Sequence, residues 1–269
     1  MENIVLPNYE HCILNTITSV LKYYNVETEH KSLNELDRTL QKNYRNIVFL
    51  ILDGMGEHIL TKVSPDGFFK KNELEKVTSV YPSTTTAALT TYYAGKPPYE
   101  TGWIAWSQYF KEYGRAVDML SHMESYKHES LKDANQDVFK TVVNYETVFE
   151  QIEKASKVKA YEIMPTYSDR RSKRTIIIEN IEMLVENPNE KFIMAYSDNP
   201  DGLLHKYGTD SVEVSQYIID TEKKIQSMCD KLPNDTIVII SADHGHKNIK
   251  KIYPRYFEEF KCIGGKCED

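Results

Sequence analysis

With 269 residues, 41% of them apolar and 27% charged, the chain can bury a substantial core, as one large α/β domain or as a domain carrying an insertion. Its formal charge of −7 argues against a broad grip on a nucleic-acid polymer, and the short clusters Arg170/Arg171/Lys173/Arg174 and Lys247/Lys250/Lys251 read as solvated faces. No stretch approaches the roughly 20 apolar residues that span a bilayer, and residues 1–11 lack the layout of a secretion signal, so the expected setting is cytoplasmic with no membrane partner.

Residues 8–24 place Ile13, Ile17, Val20, Leu21 and Tyr24 three or four apart, the spacing of an amphipathic helix, and a short helix is expected over 33–40. Residues 47–52, Ile-Val-Phe-Leu-Ile-Leu, form the strongest strand signal. Continuous apolar character without alternation marks a strand covered on both faces, as in a parallel sheet. It runs into Asp53-Gly-Met-Gly56, with a helix expected through Val63. Residues 77–80 read as the end of a short strand that Pro82 breaks, and residues 85–93 as the start of a helix. Hydroxyls crowd that junction. Taken alone, Ser83, Thr84 or Thr85 is a helix N-cap. The sharper reading has a threonine oxygen projecting from a helix N-terminus, a ready anion site, to attack phosphorus.

Residues 96–139, rich in Tyr, Trp, Ser, His and charge, read as a loop-rich insertion near the site. Trp103 and Trp106 could stack on a base or cover a sheet edge, while His122 and His128 read as loop residues. Alternation then resumes, with helices over 145–155, 174–186 and 211–232 and strands over 158–164, 191–196 and 236–240. The last strand runs into Ser241-Ala-Asp-His-Gly-His246. This order implies an α/β fold with a mostly parallel central sheet flanked by helices. Cys12, Cys229, Cys262 and Cys267 lack zinc-type spacing and read as reduced thiols, with a Cys262–Cys267 pair the alternative in an oxidising setting.

Parallel α/β sheets bind ligands at the carboxyl ends of their strands. That rule selects Asp53, the threonine run, residues 197–205 and Asp243-His244. Asp201 and His205, four apart, share one face if a helix begins there. Each piece alone has an ordinary reading as a cap, a surface pair or a turn; their conjunction at successive strand ends carries the functional one. Carboxylates with imidazoles suit a borderline divalent ion, zinc first, with manganese or iron as alternatives. Two such ions about 4 Å apart would clamp the attacking and leaving oxygens of a phosphoryl displacement.

The motifs Ile51-Leu-Asp53-Gly-Met-Gly, Tyr81-Pro-Ser-Thr-Thr85, Asn199-Pro-Asp201-Gly-Leu-Leu-His205-Lys-Tyr-Gly and Ala242-Asp243-His244-Gly, in that order, resemble the nucleotide pyrophosphatase/phosphodiesterase family of the alkaline phosphatase superfamily. Leu6-Pro-Asn-Tyr-Glu and residues 101–112 resemble a bacterial branch of it. The resemblance covers nearly the whole chain and implies a single alkaline-phosphatase-like domain over 1–269. It implies one metal held by Asp53, Thr85, Asp243 and His244, and a second held by Asp201 and His205. Thr85 would be the nucleophile, with Thr84 at the family's usual Lys position. The implied activity is hydrolysis of phosphodiester or pyrophosphate bonds through a phosphothreonine, on a small phosphorylated substrate such as a nucleotide. A phosphomonoesterase, a phosphoryl transferase or an impaired member is the alternative. Two departures stand out. The family completes its second metal site with a third His well beyond the Asp-His-Gly motif, and no His follows His246; the expectation is a natural chain that continues past Asp269, with substitution by His246 or a weak second site as alternatives. Trp106 stands near the family's usual phosphoryl-binding Asn, which leaves the backbone N–H groups of Thr85 and Thr86 as oxyanion donors.

Overall fold

The computed structural model describes residues 6–131, 138–164 and 173–248; Arg170, Arg171, Lys250, Lys251, Cys262 and Cys267 lie outside them. Two helices open the chain, α1 (Ile13–Tyr23) and α2 (Asn34–Leu40). The first begins later than the apolar spacing suggests. Its preceding residues form a turn, with His11 N–H donating to the Asn8 carbonyl at 2.7 Å. Asn15 then reaches back to accept from Cys12 N–H at 2.6 Å, satisfying an amide at the helix start.

β1 (Asn46–Leu52) is buried along its whole length. After it come α3 (Glu57–Val63), α4 (Phe68–Lys71) and α5 (Thr85–Ala94). The strand expected over 77–80 does not form. Thr78 makes one isolated parallel bridge to Cys12, and Val77 and Val80 pack into the same apolar cluster as α1. Their apolar pattern therefore reflects an irregular segment lying on the core, not a ladder.

The stretch expected to be loop-rich holds more order than its composition suggests. It contains α6 (Pro98–Thr101), β2 (Ser107–Phe110), β3 (Arg115–Asp118), β4 (Met123–Glu124) and, straddling its end, α7 (Val138–Thr141). The three strands form an antiparallel sheet. Strands of two to four residues are too short to leave a periodic signature. Trp103 sits in an apolar cluster with Phe110, Val117 and Phe139, and its Nε1 donates to the Val143 carbonyl at 3.0 Å. Trp106 is exposed, so the two tryptophans do different things. His122 stacks on Phe139 with centroids 3.7 Å apart.

The remaining elements are α8 (Val148–Ser156), β5 (Lys159–Ile163), α9 (Lys173–Glu186), β6 (Lys191–Ser197), α10 (Asp201–Tyr207), α11 (Val212–Cys229) and β7 (Thr236–Ser241). The central sheet has the order β5-β6-β1-β7, and every pairing in it is parallel. Ile47, Phe49 and Ile51 of β1 face a core shared with α1, α5 and α8. Val48, Leu50 and Leu52 face the opposite core, shared with α3, α9 and α11. Alternate residues thus serve two apolar layers, which is why the strand reads as one unbroken apolar run. Leu52 pairs with Ser197 and Ile51 with Ser241, so β6, β1 and β7 end level with one another. No helix among the described residues is long and apolar enough to cross a membrane.

Candidate active site

Those level strand ends gather the polar residues. Asp53, 3% exposed, follows β1 directly and its N–H donates to the Ser197 carbonyl at 2.9 Å. Gly54 turns the chain with φ +73°, and a Cβ there would stand 3.0 Å from Asp201 Cα and 3.1 Å from the His246 ring. Only glycine fits both the conformation and the space. Its N–H donates to Asp243 Oδ1 at 2.9 Å, joining the loop after β1 to the loop after β7. Gly56 presses bare backbone on Gly245, since a Cβ on it would lie 2.6 Å from Gly245 Cα. Asp201 opens α10, and its N–H donates to the Asp53 carbonyl at 3.0 Å. The Tyr196 hydroxyl donates to the Asp53 carboxylate.

Thr84 is the N-cap of α5, its hydroxyl accepting from Ala87 N–H at 3.4 Å. Thr85, the first helical residue, is left free of that duty, and its Oγ1 lies 3.2 Å from His244 Nε2. The helix is tied to the end of β7 by Tyr92, whose hydroxyl lies 2.7 Å from Ser241 Oγ and donates to the Ala242 carbonyl at 3.0 Å. Ser79 Oγ donates to the Asp243 carbonyl at 2.5 Å, fixing the approach to the threonine run. By helix geometry the N–H groups of Thr85 and Thr86 have no intrahelical acceptor.

His244 Nε2 lies 3.5 Å from Asp53 Oδ1 and 3.4 Å from Asp243 Oδ2. Both of those oxygens are buried without a hydrogen-bond partner among the described residues. Burial first, and then the charge of Asp243, pushes the Asp53 carboxyl up to about 9 despite the Tyr196 hydrogen bond; burial also raises Asp243. Two buried carboxyls with orphaned oxygens, beside an imidazole and a hydroxyl, form a donor set whose chemistry suits a divalent cation. A second group adjoins the first. Asp201 Oδ1 lies 2.5 Å from His246 Nε2, and Asp201 Oδ2 lies 3.6 Å from His205 Nε2. Burial opposes ionisation of Asp201, but the hydrogen bond from His246 and the neighbouring imidazoles together hold its carboxyl below the usual range. The ligand atoms of Asp53, Asp201 and His244 fall within 4.8 Å of one another, as do those of Asp201, His205 and His246.

A model of the type I phosphodiesterase / nucleotide pyrophosphatase family matches residues 47–261. The chain belongs to that family. Two solved structures of murine ectonucleotide pyrophosphatase / phosphodiesterase 5 share its fold, with TM-scores of 0.52 and 0.54 at 19% identity. The first is an inactive threonine-to-alanine variant in complex with AMP. The matches cover 74% of this chain but 56% and 57% of theirs, so the chain spans less than two thirds of the structures it resembles. No curated protein sequence matches it.

Within this family frame, Asp53, Thr85, Asp201, His205, Asp243 and His244 all lie at one end of the sheet. Thr85, Asp53 and Asp243 converge on His244, and His205 meets them through Asp201. Two further residues belong with them. Tyr196, the next-to-last residue of β6, follows the apolar run 192–195, and the pairing of β6 with β1 is what brings its hydroxyl to Asp53. His246 follows the Asp-His-Gly motif by one residue, and only the tertiary turn shows that it points at Asp201.

Metal-free protein is expected to lose stability as pH rises. The Asp53 carboxyl moves from 3.8 in the unfolded chain to about 9 when folded, so the folded state holds the extra proton between those values. The stability linked to it is complete below about pH 4 and declines towards about pH 9, by up to about 1.4 kcal/mol per pH unit for one proton. Thermal melts of metal-stripped protein across that window measure the effect. A midpoint that is flat or rises with pH would show that the pair is ionised throughout.

Proposed function

We propose that the protein is a metal-dependent hydrolase of phosphodiester or pyrophosphate bonds, with Thr85 as nucleophile and a small phosphorylated molecule such as a nucleotide as substrate. The observation that carries this reading is the Thr85 hydroxyl at the start of α5, 3.2 Å from His244 Nε2 and next to the buried Asp53/Asp243 pair. The inactive murine variant supports it, because a threonine is the residue changed and AMP the molecule bound.

Asp53, Thr85, Asp243 and His244 would hold one divalent ion, and Asp201 and His205 a second; the ligand types favour zinc, then manganese or iron. When bound, the ions supply two effects, a lowered pKa for the attacking hydroxyl and charge balance for the departing oxygen. The chain's own residues do the rest. Tyr92 and Ser79 fix the end of β7 against α5 and its approach, which sets Thr85 in place. The unpaired N–H groups of Thr85 and Thr86 meet the phosphoryl oxygens. Thr85 Oγ bonds to phosphorus as the bond to the leaving alcohol breaks, with the hydroxyl proton passing to that alcohol. Water then displaces Thr85, releasing a phosphate monoester and restoring the hydroxyl. Trp106 is 57% exposed and takes no part in this scheme.

Two displacements at phosphorus leave its configuration unchanged. Hydrolysis of a P-chiral phosphorothioate diester in heavy-oxygen water, whose label keeps the product phosphorus chiral, is therefore expected to give overall retention, and inversion would exclude the threonine route. The diester is also expected to turn over faster than the matching monoester; the reverse order would make the protein a phosphomonoesterase.

A further inference from the structure

We propose that His246 is the third protein ligand of the second ion, so that one turn after β7 delivers an imidazole to each of the two ions. This inference rests on the two-metal reading above. Three observations carry it. First, Asp201, His205 and His246 bring their ligand atoms within 4.8 Å of one another, which suits three donors around one ion. Second, the His205 and His246 rings meet edge to face, with centroids 4.7 Å apart and planes at 86°. His246 is the more enclosed of the two, with 15% of its side chain exposed against 73% for His205. A hydrogen bond from His246 to Asp201 explains one nitrogen. It does not explain why His205 turns to the other oxygen of the same carboxylate.

Third, the backbone is shaped for it. Gly245 separates His244 from His246, and their ring centroids lie 5.6 Å apart. Nε2 of His244 faces Asp53, Thr85 and Asp243 while Nε2 of His246 faces Asp201. The turn reaches this position because Gly56 has no Cβ to meet Gly245, and the ring of His246 occupies space that any side chain at Gly54 would fill. Three protein ligands leave a position open for a substrate oxygen, the arrangement of a catalytic rather than a structural metal site.

The test titrates metal-stripped protein with cobalt(II) and with zinc, following equivalents bound and the cobalt absorption spectrum. Wild-type protein is expected to bind two equivalents. His246→Ala is expected to bind one, with affinity for the second ion lowered at least about 100-fold, since changes even outside the ligand shell cost 10–100-fold. His246→Cys should restore the second equivalent and add a thiolate-to-cobalt charge-transfer band absent from the wild-type spectrum. That variant also keeps the test decisive if His246→Ala does not fold. Two equivalents at unchanged affinity in His246→Ala, or a second equivalent of cobalt bound by His246→Cys without the new band, would overturn the assignment and leave the two-metal reading standing. Fewer than two equivalents in the wild-type protein would overturn the two-metal reading, and this inference with it.

Discussion

Thr85→Ala is expected to lower turnover of a chromogenic phosphodiester by about 10³-fold or more, a loss of at least about 4 kcal/mol of transition-state stabilisation. The fold should be unaffected. Thr85 is the first residue of α5, the cap is Thr84, and alanine is the best helix former. Thr84→Ala provides the contrast. It removes the hydroxyl that accepts from Ala87 N–H, so it should cost about 1 kcal/mol of stability while leaving most of the activity. Steady-state kinetics and thermal melts on the two variants separate chemistry from capping. Wild-type rates in Thr85→Ala, or the larger kinetic loss in Thr84→Ala, would move the nucleophile to another residue of the run.

Addition of zinc to metal-stripped protein is expected to raise the melting midpoint by roughly 5–10 °C. A ligand at a hundredfold excess over its dissociation constant stabilises the native state by about 2.7 kcal/mol, and each kcal/mol moves the midpoint of a chain this long by about 2–4 °C. The physical source is the Asp53/Asp243 pair, whose orphaned oxygens exchange a forced proton for a cation. Chelator should reverse both the shift and the hydrolysis. An unchanged midpoint with added zinc, manganese or iron would mean that the carboxyl pair is not a metal site.

The parts of this molecule that follow from short-range chemistry were legible in the sequence. β1 could be read as a doubly covered parallel strand because neither of its faces meets water, and the threonine run as a helix start because Pro82 and Thr84 shape it locally. Val77 and Val80 misled for the same reason: burial looks alike whether or not a ladder forms, and here it is an irregular segment that is buried. The small sheet of β2, β3 and β4 was hidden by the brevity of its strands. The place of His246 is set by tertiary packing alone. Its use depends on the bare contact of Gly56 with Gly245, between residues far apart in the chain, and nothing in the Asp-His-Gly-His string reports where its last ring points. Tyr196 is similar, since its hydrogen bond to Asp53 exists only because β6 and β1 are neighbours.

The hydrogen bond from Gly54 to Asp243 joins residues 189 positions apart. During synthesis, Asp53 leaves the ribosome long before its partner carboxylate has been translated, and β1 has a vacant edge until β7 arrives. Neither the repulsion between the two buried carboxyls nor a full set of donors for the first proposed ion can exist before that strand docks. The same pairing therefore delays both the cost and the remedy to the last stage of assembly, and a nascent chain lacking β7 offers no competent cradle in which to trap a cation prematurely.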